Sequence, residues 1–216
     1  MPAVRIRLGL KDLAAELAKP IDYGPLMKLF GQMLRDNAVE CFERATSPDG
    51  AAWKPLKHPR PGSKGGDIPL NDTGRLRSSV TSEGADGNIS IVEPRRVECG
   101  TNLDYAPIHN FGDGSGGDYI LTPKQAKFLA IPATVEARRK GSPRNWAKGE
   151  LEFRFGSTGG VALAGKAIQY YFAKSVAIPA RPYLGISDEQ AKEFEEETAD
   201  YVADRITAAM SGAGAV

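Results

Sequence analysis

The chain has 216 residues, 41% hydrophobic and 25% charged, the balance of an ordinary globular protein, which excludes wholesale disorder and favours a single domain, 1–216, with excursions. Lys and Arg total 28 against 27 Asp and Glu, so no global field draws the chain onto nucleic acid, and any such contact must be local. No stretch approaches the ~18 consecutive apolar residues of a spanning helix, and residues 1–7 lack the apolar core of a signal peptide, so neither a membrane partner nor export is expected.

In chain order, residues 10–17 read as a short amphipathic helix ending by Pro20. A longer helix is predicted over 25–45: Leu26, Phe30, Met33, Leu34, Cys41, Phe42 and Ala45 recur at helical spacing, and Pro25 suits a first helical position. Residues 47–72 carry repeated prolines and glycines without periodicity and read as an extended loop. Asp72 or Thr73 is then placed to cap a short helix through Leu76. Alternation over 88–92 and 96–99 predicts a β-hairpin.

Residues 113–177 read as an elaborated β insertion. It comprises a glycine-rich turn, a short helix opened by Thr122-Pro123, a basic segment over 138–148, and strands over 151–155 and 168–176. The last element is a long helix over 187–210. Ser187 and Gln190 form its capping box, and Ala191, Phe194, Tyr201, Val202 and Ile206 form its apolar stripe. Residues 211–216 are expected to fray. The fold class is therefore α+β: a mixed or antiparallel β core packed by an N-terminal and a C-terminal helix, with a long loop and a β insertion.

Several chemical signals are incomplete. The run Gly160-Val161-Ala162-Leu163-Ala164-Gly165-Lys166-Ala167 matches a phosphate-cradling loop except that Ala167 stands where Ser or Thr would hold magnesium. A glycine-bounded strand or turn is the simpler reading. His58 and His109 are the only histidines and lack metal-ligand spacing. Asp104, His109 and Ser78 or Ser79 lack a nucleophile elbow, which favours a structural, hydrogen-bonded His109. Asp113-Gly114-Ser115-Gly116-Gly117-Asp118 lacks the closing glutamate of a calcium loop and reads as a turn. Cys41 and Cys99 sit among apolar neighbours, as buried thiols do. No cofactor or metal is expected. Arg138, Arg139, Lys140, Arg144 and Lys148 surround Trp146, which suits a solvated loop or a local phosphate and base contact.

Four segments in order carry a resemblance: Ser47-Pro48-Asp49-Gly50-Ala51-Ala52-Trp53-Lys54-Pro55-Leu56; Leu70-Asn71-Asp72-Thr73-Gly74-Arg75-Leu76; Gly100-Thr101-Asn102-Leu103-Asp104-Tyr105-Ala106-Pro107-Ile108-His109-Asn110-Phe111-Gly112; and Ile178-Pro179-Ala180-Arg181-Pro182-Tyr183-Leu184-Gly185-Ile186. Together they resemble the phage virion morphogenesis family, the Mu-type neck and tail-completion proteins. The motif positions are Trp53, Thr73, Gly74, Leu76, Tyr105, His109, Phe111, Gly112, Pro179, Arg181 and Pro182. The insertion departs from the family pattern.

The resemblance implies a structural virion subunit, not an enzyme. It would form a homo-oligomeric ring, a hexamer or a dodecamer, at the head–tail junction after assembly in the host cytoplasm. Neighbours would be neck, portal-side or tail-tube proteins, with DNA passing through the lumen. A nucleotide-binding or hydrolytic enzyme and a DNA-binding module are the alternatives. Trp53 is expected to anchor its loop to the core, and Arg181 to be free to reach a neighbour, with an internal salt bridge as the simpler alternative. The 47–72 loop and residues 113–150, with Arg138, Arg139, Lys140 and Arg144, are expected to be contact devices ordered by neighbouring subunits.

Overall fold

The computed structural model describes residues 21–58, 60–63 and 66–213; the helix expected over 10–17 and the last residues of the tail lie outside them. The first described helix, α1 (Gly24–Arg44), carries Pro25 in its first turn and ends at Ala45, whose left-handed φ of 53° turns the chain out of the helix. Its buried residues are Leu26, Gly31, Ala38, Cys41 and Phe42. The helix packs against α2 (Arg75–Thr81) and the antiparallel hairpin of β1 (Asn88–Glu93) and β2 (Arg96–Thr101). Gly31 permits this approach, because a Cβ there would lie 3.2 Å from a Val97 methyl.

The start of α2 corrects the sequence reading. Neither Asp72 nor Thr73 is the cap residue: Gly74 is, at φ 82°, and the helix begins at Arg75 and runs past Leu76. Thr73 still contributes, since its hydroxyl accepts from the Arg75 N–H at 3.3 Å.

After α3 (Ala106–Phe111) the insertion opens with β3 (Tyr119–Leu121), which pairs with the distant β8 (Val176–Ile178). Between them lies a four-stranded antiparallel sheet of order β4-β7-β6-β5, built from β4 (Leu129–Pro132), β5 (Glu152–Phe155), β6 (Gly159–Ala164) and β7 (Ala167–Ala173). The helix expected at Thr122-Pro123 does not form; residues 124–128 are bends. Residues 124–127 are exposed throughout, so no buried face offsets the cost of helix nucleation. A helix forms instead at α4 (Val135–Lys140), where Thr134 accepts from the Ala137 N–H at 3.1 Å and Ala137 is fully buried. A 3-10 turn (Pro143–Asn145) follows, so half of the basic segment is helical. The single strand expected over 168–176 is two, β7 and β8, which belong to different sheets.

The closing helix α5 (Asp188–Ala213) has the expected box: the Ser187 N–H donates to Gln190 Oε1 at 3.0 Å and the Gln190 N–H to Ser187 Oγ at 3.2 Å. Phe194 meets Phe30 edge-on, centroids 4.6 Å apart, and Tyr201 packs on Tyr23. Among the described residues two apolar clusters result. The main one joins Phe42, Trp53, Leu76, Val80, Leu103 and Tyr183; the other, in the insertion, joins Ala137, Ala162 and Tyr170. Among the described residues no helix is long and apolar enough to cross a membrane.

Candidate functional site: the motif clamp and the clefts beside it

The four motif segments meet at one place. A turn over 47–50, closed by Gly50 N–H to Ser47 O at 2.9 Å, folds the chain back so that the Trp53 N–H reaches Ala45 O at 2.8 Å. Pro48-Asp49-Gly50 is suited to this, with Gly50 at φ 80°. The Trp53 indole, 7% exposed, stands edge-on to Phe42 and donates to Pro182 O at 2.8 Å. Trp53 thus anchors its loop to the subunit's own core.

Arg181 is 4% exposed and points inward. Its Nε donates to Lys54 O at 2.8 Å and a terminal nitrogen to Pro55 O at 3.3 Å, while its backbone N–H bonds His109 O at 2.7 Å. This corrects the expectation that Arg181 serves a neighbour. A guanidinium buried at the exit of the Trp53 turn satisfies carbonyls that an irregular segment cannot pair within itself. Its own pKa is lowered, first by burial and then by Arg60.

Two residues central to the clamp were quoted in the motifs but not singled out. Asn110, 4% exposed, accepts from the Tyr183 N–H at 2.9 Å and the Leu184 N–H at 3.0 Å, and donates to Leu184 O at 3.3 Å. Tyr183, 1% exposed, donates its hydroxyl to Ala106 O at 3.1 Å, and burial pushes the phenol pKa up. Gly112 closes α3 at φ 62°, where a Cβ would sit 2.0 Å from Gly117 O. The loop beyond it is held by the Asp113 carboxylate, which accepts from Ser115 N–H, Ser115 Oγ and Gly117 N–H, bonds that lower its pKa. Pro179 leads from β8 into Arg181.

Two clefts flank the clamp. One, of about 270 Å³, is polar and runs between Arg60, Asp72, Arg75, Tyr105 and His109, with Gly74 and Leu76 on its wall. Among the described residues His109 Nδ1 and Asp72 Oδ1 are buried there without a hydrogen-bond partner. Burial would raise the Asp72 pKa, but its bond to Arg138 and that cation's charge hold it below the ordinary value. Burial, then Arg60 and Arg181, push the His109 pKa down to about 4.

A test follows for His109. Its folded pKa lies below the unfolded value of about 6.5, so between these values the unfolded chain binds more protons. The stability that its neutral ring permits is complete above about pH 6.5 and declines as pH falls towards about 4. Urea midpoints of wild type and His109→Gln, taken at neutral and acid pH, are expected to show a shallower acid decline in the variant. Parallel declines would exclude His109 as the source.

The second cleft, about 310 Å³, is apolar and lies between α1, β2 and the segment entering α5. Its lining includes Leu34, Ala38, Cys99, Phe111 and Ile186. Phe111, a motif residue, is 61% exposed at this cleft. Both cysteines are free thiols, with Cys41 raised to about 11 chiefly by burial.

The basic segment is used differently from the sequence reading. Arg138 donates to Pro61 O at 3.1 Å and pairs with Asp72, fastening the insertion to the long loop. Lys140 lies 4.7 Å from the Trp146 ring centroid and 3.7 Å from Glu150. Trp146 is no free stacking platform, because its indole donates to Tyr170 Oη at 3.1 Å and packs on the insertion core. Arg139, Arg144 and Lys148 remain exposed. Parts of the two segments expected to await a neighbour are thus tied by bonds within the subunit: 53–55 by Trp53 and Arg181, 61 and 72 by Arg138, and Asp118 by Lys54 at 2.9 Å.

The phosphate-loop-like run is a β-hairpin. Gly160 to Ala164 lie in β6, Ala167 begins β7, and Gly165-Lys166 form the turn between them. A phosphate-cradling loop leads from a strand into a helix, whose N–H groups face the anion; this one leads from strand to strand. Ser79, fully buried, donates to Leu76 O at 2.8 Å inside its own helix. Among the described residues no group of three or more His, Cys, Asp or Glu side chains is placed to hold a metal.

The polar groups of Trp53, Asn110, Arg181 and Tyr183 therefore act on backbone within the chain, an architectural arrangement. The chain matches the phage virion morphogenesis family over residues 3–203 and belongs to that family, whose members are structural proteins of phage particles. It is also similar to the Mu-like prophage FluMu G protein 2 of Haemophilus influenzae, 35% identical over 109 residues that cover 50% of this chain and 67% of that protein. No solved structure matches it.

Proposed function

We propose that the chain is a neck or tail-completion subunit that closes into a ring at the head–tail junction, a hexamer at a tail end or a dodecamer beside a portal. The observation that carries this reading is the use of the family motif as an internal clamp. Trp53, Asn110, Arg181 and Tyr183 direct their polar groups at backbone within the chain. Such a clamp presents surface to other chains while its own groups stay occupied. Neighbours are neck, portal-side or tail-tube proteins, and DNA passes through the lumen. Exposed Arg139, Arg144 and Lys148 suit a salt-sensitive contact with phosphates or acidic protein surface. The subunit assembles in the host cytoplasm and acts mechanically, without a cofactor.

Native mass measurement of the purified protein, with imaging of the particle, tests the reading. A closed oligomer is expected, and a monomer both in solution and in the particle would overturn it. Lys166→Ala, at an exposed turn, is expected to leave particle formation intact, with no ATP hydrolysis by either protein. Turnover by wild type that is lost in the variant would restore the enzyme reading.

A further inference from the structure

We propose that the ring contact seats an aromatic patch on the insertion of one subunit in the apolar cleft beside α5 of the next; this rests on the ring reading above. The patch is built on the edge of the four-stranded sheet. Strand β5 is one of the two edge strands, and all its residues are exposed. Phe153 and Phe155, two apart, share a face, and Gly160 and Phe172 continue the Phe155 row across β6 and β7. A Cβ at Gly160 would lie 2.5 Å from the Phe155 ring, so glycine there lets the ring rest against the sheet. Phe172 and Phe128 lie 5.1 and 5.3 Å from Phe155, centroid to centroid.

The next row on the same face, Phe153, Ala162 and Tyr170, passes under a cover. Ala162 and Tyr170 pack with Ala137 of α4 and with Trp146 and are fully buried. That cover stops short of the edge, where Phe153 is 49% and Phe155 54% exposed. An uncovered apolar edge strand is a liability that a specific partner removes.

The occupant that fits is a second copy of this chain. The apolar cleft has room for a phenyl side chain, and its mouth carries Phe111 and Ile186, the latter 53% exposed. Lysines flank the patch and carboxylates follow the cleft residue Ile186. Lys127 sits 5.7 Å from the Phe128 ring centroid, and Lys124 and Lys174 are exposed in the segments flanking the patch strands. At the cleft, Asp188 and Glu189 follow Ile186 in the first turn of α5. Patch and cleft are different surfaces of one chain, so their contact is head-to-tail and repeats from copy to copy until rotation closes it. An unrelated partner would need only one of them.

The test uses the full-length chain in three forms: wild type, a patch variant (Phe153→Ser with Phe155→Ser) and a cleft variant (Ile186→Arg). Native mass measurement is expected to show rings for wild type and monomers for each variant alone. An equimolar mixture of the variants is expected to stop at a one-to-one dimer, because one intact patch still finds one intact cleft. That dimer also shows that both variants are folded. Rings that persist in either variant, or a mixture that stays monomeric, would overturn the proposal. So would a patch variant that still forms rings but no longer joins particles, which would assign the patch to another virion protein. If wild type closes only in the particle, Phe155→Cys with Ile186→Cys is expected to give a ladder of cross-linked subunits there. A ring in the particle without that ladder removes this interface and leaves the ring reading standing; a subunit monomeric in solution and in the particle removes both.

Discussion

Trp53→Ala is expected to lower the stability of the subunit by about 4 kcal/mol, the range for removing a large aromatic from a core. The indole fills the space against Phe42 and is almost fully buried, and its N–H holds Pro182, which lies 129 positions away. Truncation therefore opens a cavity and also leaves a carbonyl unpaired. Trp53→Phe separates the two effects: it keeps an aromatic ring and loses the bond, and a cost of about 1–2 kcal/mol is expected. Urea unfolding at fixed pH measures both, with an unchanged slope required for the comparison. Equal loss in the two variants would mean that the hydrogen bond, not the packing, holds the loop.

Asn110→Ala is expected to cost about 3 kcal/mol, because its side chain answers two backbone N–H groups and one carbonyl in a segment with no regular structure. Tyr183 N–H and Leu184 N–H would be left without this acceptor, next to a tyrosine that is itself 1% exposed. On the proposed ring reading the loss reaches assembly as well as the fold, since Leu184 and Ile186 line the apolar cleft. The readouts are the urea midpoint and the amide exchange rates at 183 and 184. A midpoint within about 0.5 kcal/mol of wild type, the ordinary surface-substitution range, would show that water replaces the amide and that Asn110 is not the clasp described here.

The same distinction explains how much of the site was legible beforehand. The Pro48-Asp49-Gly50 turn, the Ser187–Gln190 box, the hairpin at 88–101 and the body of α1 follow from residues that meet their partners within a few positions. Helix α4 is equally legible: Thr134 at the cap, Glu136 in the first turn, basic residues in the last and Gly141 after it are a full set of end signals.

What the sequence by itself determined was the family pattern, the α+β class and the elements whose hydrogen bonds are local. What only the tertiary structure decided was where long side chains and strand edges go. Arg181 has the same donors whether it meets a neighbouring subunit or Lys54 O, 127 positions back, and only the folded chain brings that carbonyl within 2.8 Å. Trp146 packs against the insertion core because Tyr170 lies within reach of its indole, and the run over 168–176 split because its two halves found partners in β4 and β6 or in β3. Period-two alternation marks a strand but carries no address for its partner, and a guanidinium or indole reaches far enough to satisfy either of several acceptors. Those choices are settled by which groups burial would otherwise leave unpaired, and that is a property of the assembled fold.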